Sequence, residues 1–501
     1  MLRKFISQNT LFCALIILLG VTASCKKAGN TPDSNTTEES NLLQTPTSDR
    51  SLLTRDSIFL YAKQTYFWNV GMPNYDTFNP RQYSSNNAII AAIKALPSTG
   101  GKDKYSFIDD GSVASQLSGV GGDYGFSANF QGNTDTLRVK YVYAGSPAAA
   151  AGLARGNRIK KVNGRDVSRA SSTELDYLNN AIFGDNASVT LTIEKNKTSS
   201  DITVNRGTYN INPILYTNTY AVNAKKVGYI VFNSFTTNAA AALDAAFSKF
   251  TTDGVTELVV DLRYNGGGSV ATSELFTNLI APPAQNGKVM YTTYWTKTMQ
   301  DGNATILQNQ KFYAKGNDGV TRMYSYFDYS YKPTAAAGNQ EIFAKRGALN
   351  GLTRVYFLVT SGTASASELL INNLKPVVDV KLIGKTTYGK PVGFFSIRID
   401  KNDLYIPQFQ TKNQLNQGDY FMGMTVDKDV ADDLTKDFGD PSEKMLAQAL
   451  YYSANNNFSA LAKDNIISST STLPKNVVED LSGKMDHEFK GMVETRKLRF
   501  K

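Results

Sequence analysis

From residue 211 to about residue 450, short apolar runs alternate with helical patterns, and this alternation constrains the fold more than any other feature. Residues 227–232 read as a strand, residues 238–250 as an Ala-rich helix, and residues 257–262 as a buried strand. Residues 354–360, 380–384 and 394–399 continue the set. Strand, helix and strand in turn predict right-handed βαβ units and a largely parallel sheet. Residues 288–351 interrupt the pattern with a long Tyr- and Gly-rich insertion that has no clear period. Residues 442–452 read as one more helix, and the last forty or so residues as peripheral.

Two segments precede this core. In residues 51–112, Ile58, Tyr61, Ala62 and Tyr66 fall near one helical face, and a second helix is expected over residues 88–96. That is a small N-terminal helical domain. Residues 113–210 change character. Residues 137–142 alternate like a strand, and a capped turn follows in Ala144-Gly145-Ser146-Pro147-Ala148-Ala149-Ala150-Ala151-Gly152-Leu153. Ser146 suits the cap, Pro147 the first helical position and Gly152 the end. A strand at 158–162 is closed by the turn Asn163-Gly164. A helix with Leu175, Leu178 and Ile182 on one side comes next, then strands at 188–193 and 201–204. The run through Gly164 resembles a PDZ domain. That resemblance implies capture of a partner's C-terminal segment as an added strand, with backbone N–H groups near Gly125 and Phe126 holding the terminal carboxylate.

A chain of 501 residues implies two or three domains. The first 24 residues read as an export signal: Arg3 and Lys4, an apolar run over 11–21, then the small residues Thr22, Ala23 and Ser24. The run is too short to span a bilayer. Val21-Thr22-Ala23-Ser24-Cys25 resembles a bacterial lipoprotein signal, which implies acylation of Cys25. An ordinary signal peptide is the other reading. The polar residues 25–50 would form a disordered tether, and Lys26 and Lys27 after the cysteine suggest an outer-membrane lipoprotein of a Gram-negative bacterium. The chain has two cysteines, Cys13 and Cys25, and one histidine, His487. Cleavage before Cys25 leaves no disulfide, no cysteine nucleophile and no His/Cys metal site. The net charge of +9 is diffuse, with no basic stripe for nucleic acid.

Nucleophilic serine chemistry needs a base. A Ser-His-Asp triad would depend on His487 in a polar tail, and no G-x-S-x-G elbow occurs. The S-x-x-K pattern appears only at Ser24 to Lys27. Three loops at the C-terminal ends of strands remain, on the rim where open α/β sheets place their sites. They are Asp261-Leu262-Arg263-Tyr264-Asn265-Gly266-Gly267-Gly268, Ser361-Gly362-Thr363-Ala364-Ser365-Ala366-Ser367-Glu368, and Gly384-Lys385-Thr386-Thr387-Tyr388-Gly389-Lys390-Pro391-Val392-Gly393. In this order they resemble the motifs of the C-terminal processing (tail-specific) serine proteases, which also carry a PDZ domain ahead of the catalytic domain. The resemblance implies a multidomain α/β fold with a crotonase/ClpP-like catalytic core over residues 211–455, followed by a tail over 456–501.

It further implies Ser365 as nucleophile, Lys390 as general base, and the N–H groups of Ala366 and of Gly267 or a neighbouring glycine as oxyanion donors. No cofactor or metal is expected. Many relatives carry a glutamine four residues after the lysine; Phe394 stands there, so the third group is open, with Glu368 a candidate. A lysine titrates near 10.4 in water, so a basic Lys390 requires burial and a depressed pKa. The expected partners are unstructured or C-terminal peptide segments of envelope proteins, and the membrane through the anchor. The competing readings are a non-catalytic peptide-binding lipoprotein with the same fold and a structural envelope protein that uses the PDZ-like domain for docking.

Overall fold

The computed structural model describes residues 39–132, 134–195, 197–316, 318–460, 485, 488–495 and 499–501. The signal segment, Cys25 and His487 lie outside the described residues, and the tether is described only from residue 39.

A six-stranded sheet organises the larger part of the chain. Its strands lie in the order Ile214–Val222, Lys225–Phe232, Glu257–Asp261, Arg354–Val359, Asp379–Gly384 and Lys428–Asp429. The first pair is antiparallel and every other pair parallel. The central strands are buried on both faces, and the two-residue period divides them. Leu258, Val260, Val355 and Phe357 join one core, while Val259, Tyr356 and Leu358 join another on the opposite face. Helices Ala240–Asp253, Val270–Ile280 and Ala366–Leu374 cross between strands, as parallel pairing requires.

The N-terminal helices build no core of their own. Helix Arg50–Thr65 begins at Asp49, whose side chain accepts from the N–H groups of Ser51 and Leu52. Its Ile58, Phe59 and Ala62 share one cluster with Phe232 of the sheet, Phe247 of helix Ala240–Asp253 and Trp295. This segment is thus part of the core on the sheet's first face, and not a helical domain with its own core.

The segment that resembles a PDZ domain has a separate core. Phe126–Phe130, Leu137–Val142, Arg158–Val162, Ser188–Lys195 and Thr198–Asn205 form one sheet in that order, with Phe126–Phe130 at its edge. Helix Ser172–Phe183 contributes Leu175, Leu178 and Ile182 to the cluster beneath. Ser146 caps Pro147–Ala150 by accepting from Ala149 N–H at 3.2 Å. Asn163 and Gly164 turn at φ 48° and 79°, the left-handed pair that a tight hairpin turn requires.

Three further expectations need correction. The insertion at 288–351 is a built part of the fold: Val289–Trp295 pairs antiparallel with Gln340–Ile342 on one side and with the later Phe409–Asn413 on the other, and Val392–Gly393 completes the four-stranded sheet beside Phe409–Asn413. Strands this short, with aromatic residues on both faces, leave no period to read. The single strand expected over 394–399 is broken into Val392–Gly393 and Ile397–Ile399, which belong to different sheets. Gln408 Oε1 takes the Phe395 N–H at 2.8 Å and so interrupts the ladder between them. The last residues are not all peripheral, since Gly491–Val493 pairs in parallel with Gly267–Ser269.

Candidate active site

Strand Arg354–Val359 runs into a turn whose polar side chains tie it to the loop after the neighbouring strand. Thr363 Oγ1 donates to Leu262 O at 2.7 Å, Ser367 Oγ donates to Asn265 O at 3.0 Å, and Ala364 N–H donates to Asn265 O at 3.1 Å. The loop after Asp261 is anchored in turn. Arg263, 1% exposed, pairs with Asp261 and grips Glu443 bidentately at 3.0 and 2.9 Å. Such a buried fork-to-carboxylate pair holds geometry well.

At the mouth of this turn stands Ser365, at φ 62° and ψ −109°. Every other non-glycine with positive φ among the described residues is Asn, Asp or Lys. Strain of this kind costs about 1–3 kcal/mol and persists only where the surroundings impose it. Here Glu368, in the first turn of helix Ala366–Leu374, accepts the Ser365 N–H through Oε2 at 2.8 Å. The Ser365 hydroxyl is buried and has no hydrogen-bond partner. A serine lifted on a strained strand-to-helix turn is the arrangement that exposes a nucleophile.

The third loop is fastened to the same carboxylate. Glu368 Oε2 also accepts the Lys390 N–H at 2.8 Å, while Oε1 accepts from Gly389 N–H at 2.7 Å and Thr387 Oγ1 at 2.5 Å. One oxygen therefore fixes the backbones of Ser365 and Lys390 together, across 25 residues of sequence. Burial pushes the Glu368 carboxyl above its usual range, and these four donors offset only part of that shift. It acts as a clamp on two loops. Substituting Glu368→Gln turns one acceptor into an NH2 group facing N–H donors. We expect a loss of about 2–3 kcal/mol in urea unfolding and a fall in kcat/KM of at least about tenfold. Unchanged values of both would remove the clamp.

Lys390 is 0% exposed, and its ammonium is pushed down to about 7, first by desolvation. The carboxylates of Asp103 and Glu368 oppose that shift, and Lys490 adds to it. The amine lies 4.0 Å from the Phe394 ring centroid and 5.5 Å from that of Tyr105. Phe394 thus supplies an aromatic face to the amine. The amine donates to Lys490 O at 2.6 Å.

Ala366 contributes the first N–H of its helix, beside Gly267 at φ 108°. A methyl group on Gly267 would stand 2.8 Å from Ala366 N and 2.9 Å from Ala364 O, so only glycine leaves this space open. Gly267's own N–H turns away, donating to Asn265 Oδ1 at 2.9 Å. In the PDZ-like unit Gly125 N–H is likewise engaged, with Asp123 Oδ1 at 2.7 Å, and Phe126 opens the edge strand. A cavity of about 240 Å³ is lined by Phe126 and Ile182 of that unit and by Gly266 and Gly267 of the glycine loop. Ser365, Lys390, Ala366 and Gly267 are therefore held in one place by Glu368 and Asn265, while Gly125 and Phe126 lie in the separate PDZ-like unit.

Sequence reasoning missed Asp103 and Tyr105. Asp103 accepts from Tyr105 N–H at 2.8 Å and Ser106 N–H at 3.0 Å, and Tyr105 Oη donates to Gly389 O. Both lie in a short polar stretch without period, where nothing marks a contact 284 residues away. It missed the C-terminal strand for the same reason.

Residues 226–431 match the family Peptidase family S41, and residues 138–195 match the PDZ domain. The chain is 26% identical over 355 residues to the CtpA-like serine protease of Staphylococcus aureus strain RF122, covering 70% of this chain and 60% of that protein. It is 25% identical over 367 residues to the CtpA-like serine protease of Staphylococcus epidermidis strain RP62A, covering 71% and 64%. The match spans less than two thirds of either relative's own length. Among solved structures, an S41 protease from Bacteroides fragilis superposes with a TM-score of 0.56 at 23% identity, covering 82% of this chain and all of the other, a likeness of fold. Residues 226–431 are thus similar to peptidase family S41, and the segment similar to a PDZ domain lies ahead of them.

Proposed function

We propose that the chain is a serine endopeptidase that receives C-terminal peptide segments on its PDZ domain and cleaves by a Ser-Lys acyl-enzyme mechanism. The observation that carries this reading is a lysine buried at 0% exposure, pushed down to about 7 and clamped through one Glu368 oxygen to a strained serine turn. Near neutral pH such an amine is half deprotonated, which a general base needs. The names of the curated relatives support the same class.

In this mechanism neutral Lys390 takes the proton of Ser365 Oγ as the oxygen bonds to the amide carbon. Ala366 N–H and a glycine N–H of the 266–268 loop receive the oxyanion. Lys390 then gives its proton to the amide nitrogen, the C–N bond breaks and the new amine leaves. Water attacks the ester, Lys390 takes its proton, and Ser365 departs with it as the acid product is released. The sheet order around the site supports a crotonase/ClpP-like core. Acylation at Cys25 would place the enzyme in the cell envelope, with unstructured tails of envelope proteins as substrates.

The test is hydrolysis of an unstructured peptide with an apolar C-terminus by the full chain, in free-acid and amidated forms. We expect cleavage that survives chelator and a KM at least about tenfold higher for the amide, since the lost carboxylate removes the contact a PDZ loop makes. Binding without cleavage would favour the peptide-binding lipoprotein. Equal KM values would remove tail recognition.

A further inference from the structure

Among the described C-terminal residues 488–495, Gly491–Val493 forms a strand beside the glycine loop. We propose that residues 488–494 are an internal inhibitor strand: they fill the channel that holds a substrate strand and divert Lys390 from Ser365. The proposal rests on the Ser-Lys reading above and deepens it by naming how the site is regulated.

Main-chain groups hold the strand on both sides. Gly491–Val493 lies in parallel register with Gly267–Ser269, and Gly491 N–H donates to Gly266 O at 3.0 Å. On the other side Phe394 N–H donates to Met492 O at 3.0 Å, and Glu494 N–H donates to Phe394 O at 2.8 Å. Strand addition of this kind is how sheet edges bind extended peptides.

The channel wall is shaped for a backbone. A methyl group on Gly266 would stand 2.0 Å from Phe489 O, one on Gly267 2.3 Å from Gly491 O, and one on Gly393 2.7 Å from Met492 O. Three glycines on two loops leave room for the strand's carbonyls. The glycines read the strand's main chain, while Met492 and Val493 are buried in apolar clusters, so the channel accepts an extended segment, from this chain or another, with apolar residues at those two places.

The strand also engages the chemistry. Lys390 Nζ donates to Lys490 O at 2.6 Å, while Ser365 Oγ has no hydrogen-bond partner. The base is thus bonded to a carbonyl of the strand instead of to the serine it would deprotonate. With the oxygen of Lys490 bound to the amine, this peptide bond is held and not attacked.

An anchor links the strand to the PDZ unit. Glu488 accepts from Lys140 and from Ser127 Oγ, the latter at 3.0 Å, and the ion pair is nearly buried at 5% and 9% side-chain exposure. Met485 is fully buried in that unit's core. Glu488 lines the same cavity as Phe126 and Ile182. A peptide docking there competes with the anchor, so arrival of a substrate frees the channel.

The experiment uses the full chain and a fluorescent peptide of residues 488–495. In a Ser365→Ala background, Glu488→Gln removes the anchoring charge and Gly491→Val adds a Cβ that would stand 2.0 Å from the Phe489 ring. We expect each to bind the peptide at least about tenfold more tightly than the unaltered tail does. With Ser365 intact, the same changes should raise hydrolysis of an unrelated unstructured peptide by a similar factor. Hydrogen exchange on the unmodified tail gives a second measure: the amides of Gly491 and Glu494 should be protected and should exchange faster when that peptide is added. Unchanged or weaker binding in the Glu488→Gln chain, or protection that the peptide does not alter, overturns the inhibitor strand. Tighter binding without any hydrolysis keeps the strand's occupancy and removes the Ser-Lys enzyme.

Discussion

Replacing Ser365 by alanine should lower kcat/KM by at least about 10⁴-fold while leaving peptide binding intact. Removing a nucleophile from a concerted set typically costs up to about 10⁶ in rate, with the residue of catalysis left to binding and oxyanion donors. The alanine keeps the Glu368 bond to its N–H, so the turn should remain. A second substitution separates chemistry from strain. Ser365 sits at φ 62°, ψ −109°, which glycine adopts without the Cβ penalty. Ser365→Gly should therefore abolish hydrolysis equally, yet raise stability by about 1 kcal/mol, the lower end of the strain range. The two variants are compared by steady-state assay and urea unfolding. Residual hydrolysis within tenfold of the parent in either would remove Ser365 as nucleophile.

The second large effect belongs to Lys390→Met, which preserves length and removes the amine. Hydrolysis should fall about 10³-fold or more, since general base catalysis supplies about 10²–10⁴ and the serine then has no base. In the parent, kcat/KM should rise as pH rises through about 7 and level off above it, because the neutral amine is the active form. Stability carries the opposite signature. The native lysine titrates near 7 and the unfolded one near 10.4, so between these values only the unfolded chain holds the proton. Parental stability then rises with pH across that window. Below it, the native state carries the whole cost of a buried ammonium, about 4 kcal/mol for a shift of about three units. Part of this is already offset by the bond to Lys490 O. Lys390→Met should thus be more stable than the parent by about 2–4 kcal/mol at pH 6, with the gain fading toward pH 10. Denaturant unfolding at pH 6 and pH 9 measures it. A rate profile without a step near neutrality, or a variant less stable at pH 6 than the parent, would contradict the depressed amine.

The parallel sheet was legible because its strands are apolar runs separated by helical patterns, and such runs must be buried on both faces wherever they occur. A helix start and a hairpin turn were legible for a local reason: Ser146 with Pro147 satisfies the backbone, and Asn163 with Gly164 bends it, within a few residues. The candidate loops were legible as glycine- and serine-rich breaks directly after strands. The sheet through residues 288–351 was not, because its strand Val289–Trp295 pairs with Phe409–Asn413, more than a hundred residues on, and its strands carry no period of their own.

The sequence by itself determined the parts of this protein that depend on near neighbours: the strands and helices of the parallel sheet, the capped turn at Ser146, the hairpin turn at Asn163, and that Ser365 and Lys390 lie on loops at strand ends. Only the tertiary structure decided what those residues are. The depressed amine of Lys390 comes from burial beside Phe394 and Tyr105, and the shared clamp comes from one Glu368 carboxylate that meets both loops. The strand of residues 491–493 lies in the site because Gly266, Gly267 and Gly393, distant in sequence, leave room for its backbone. Desolvation and close approach depend on what surrounds a group in space, and no local pattern of residues records that.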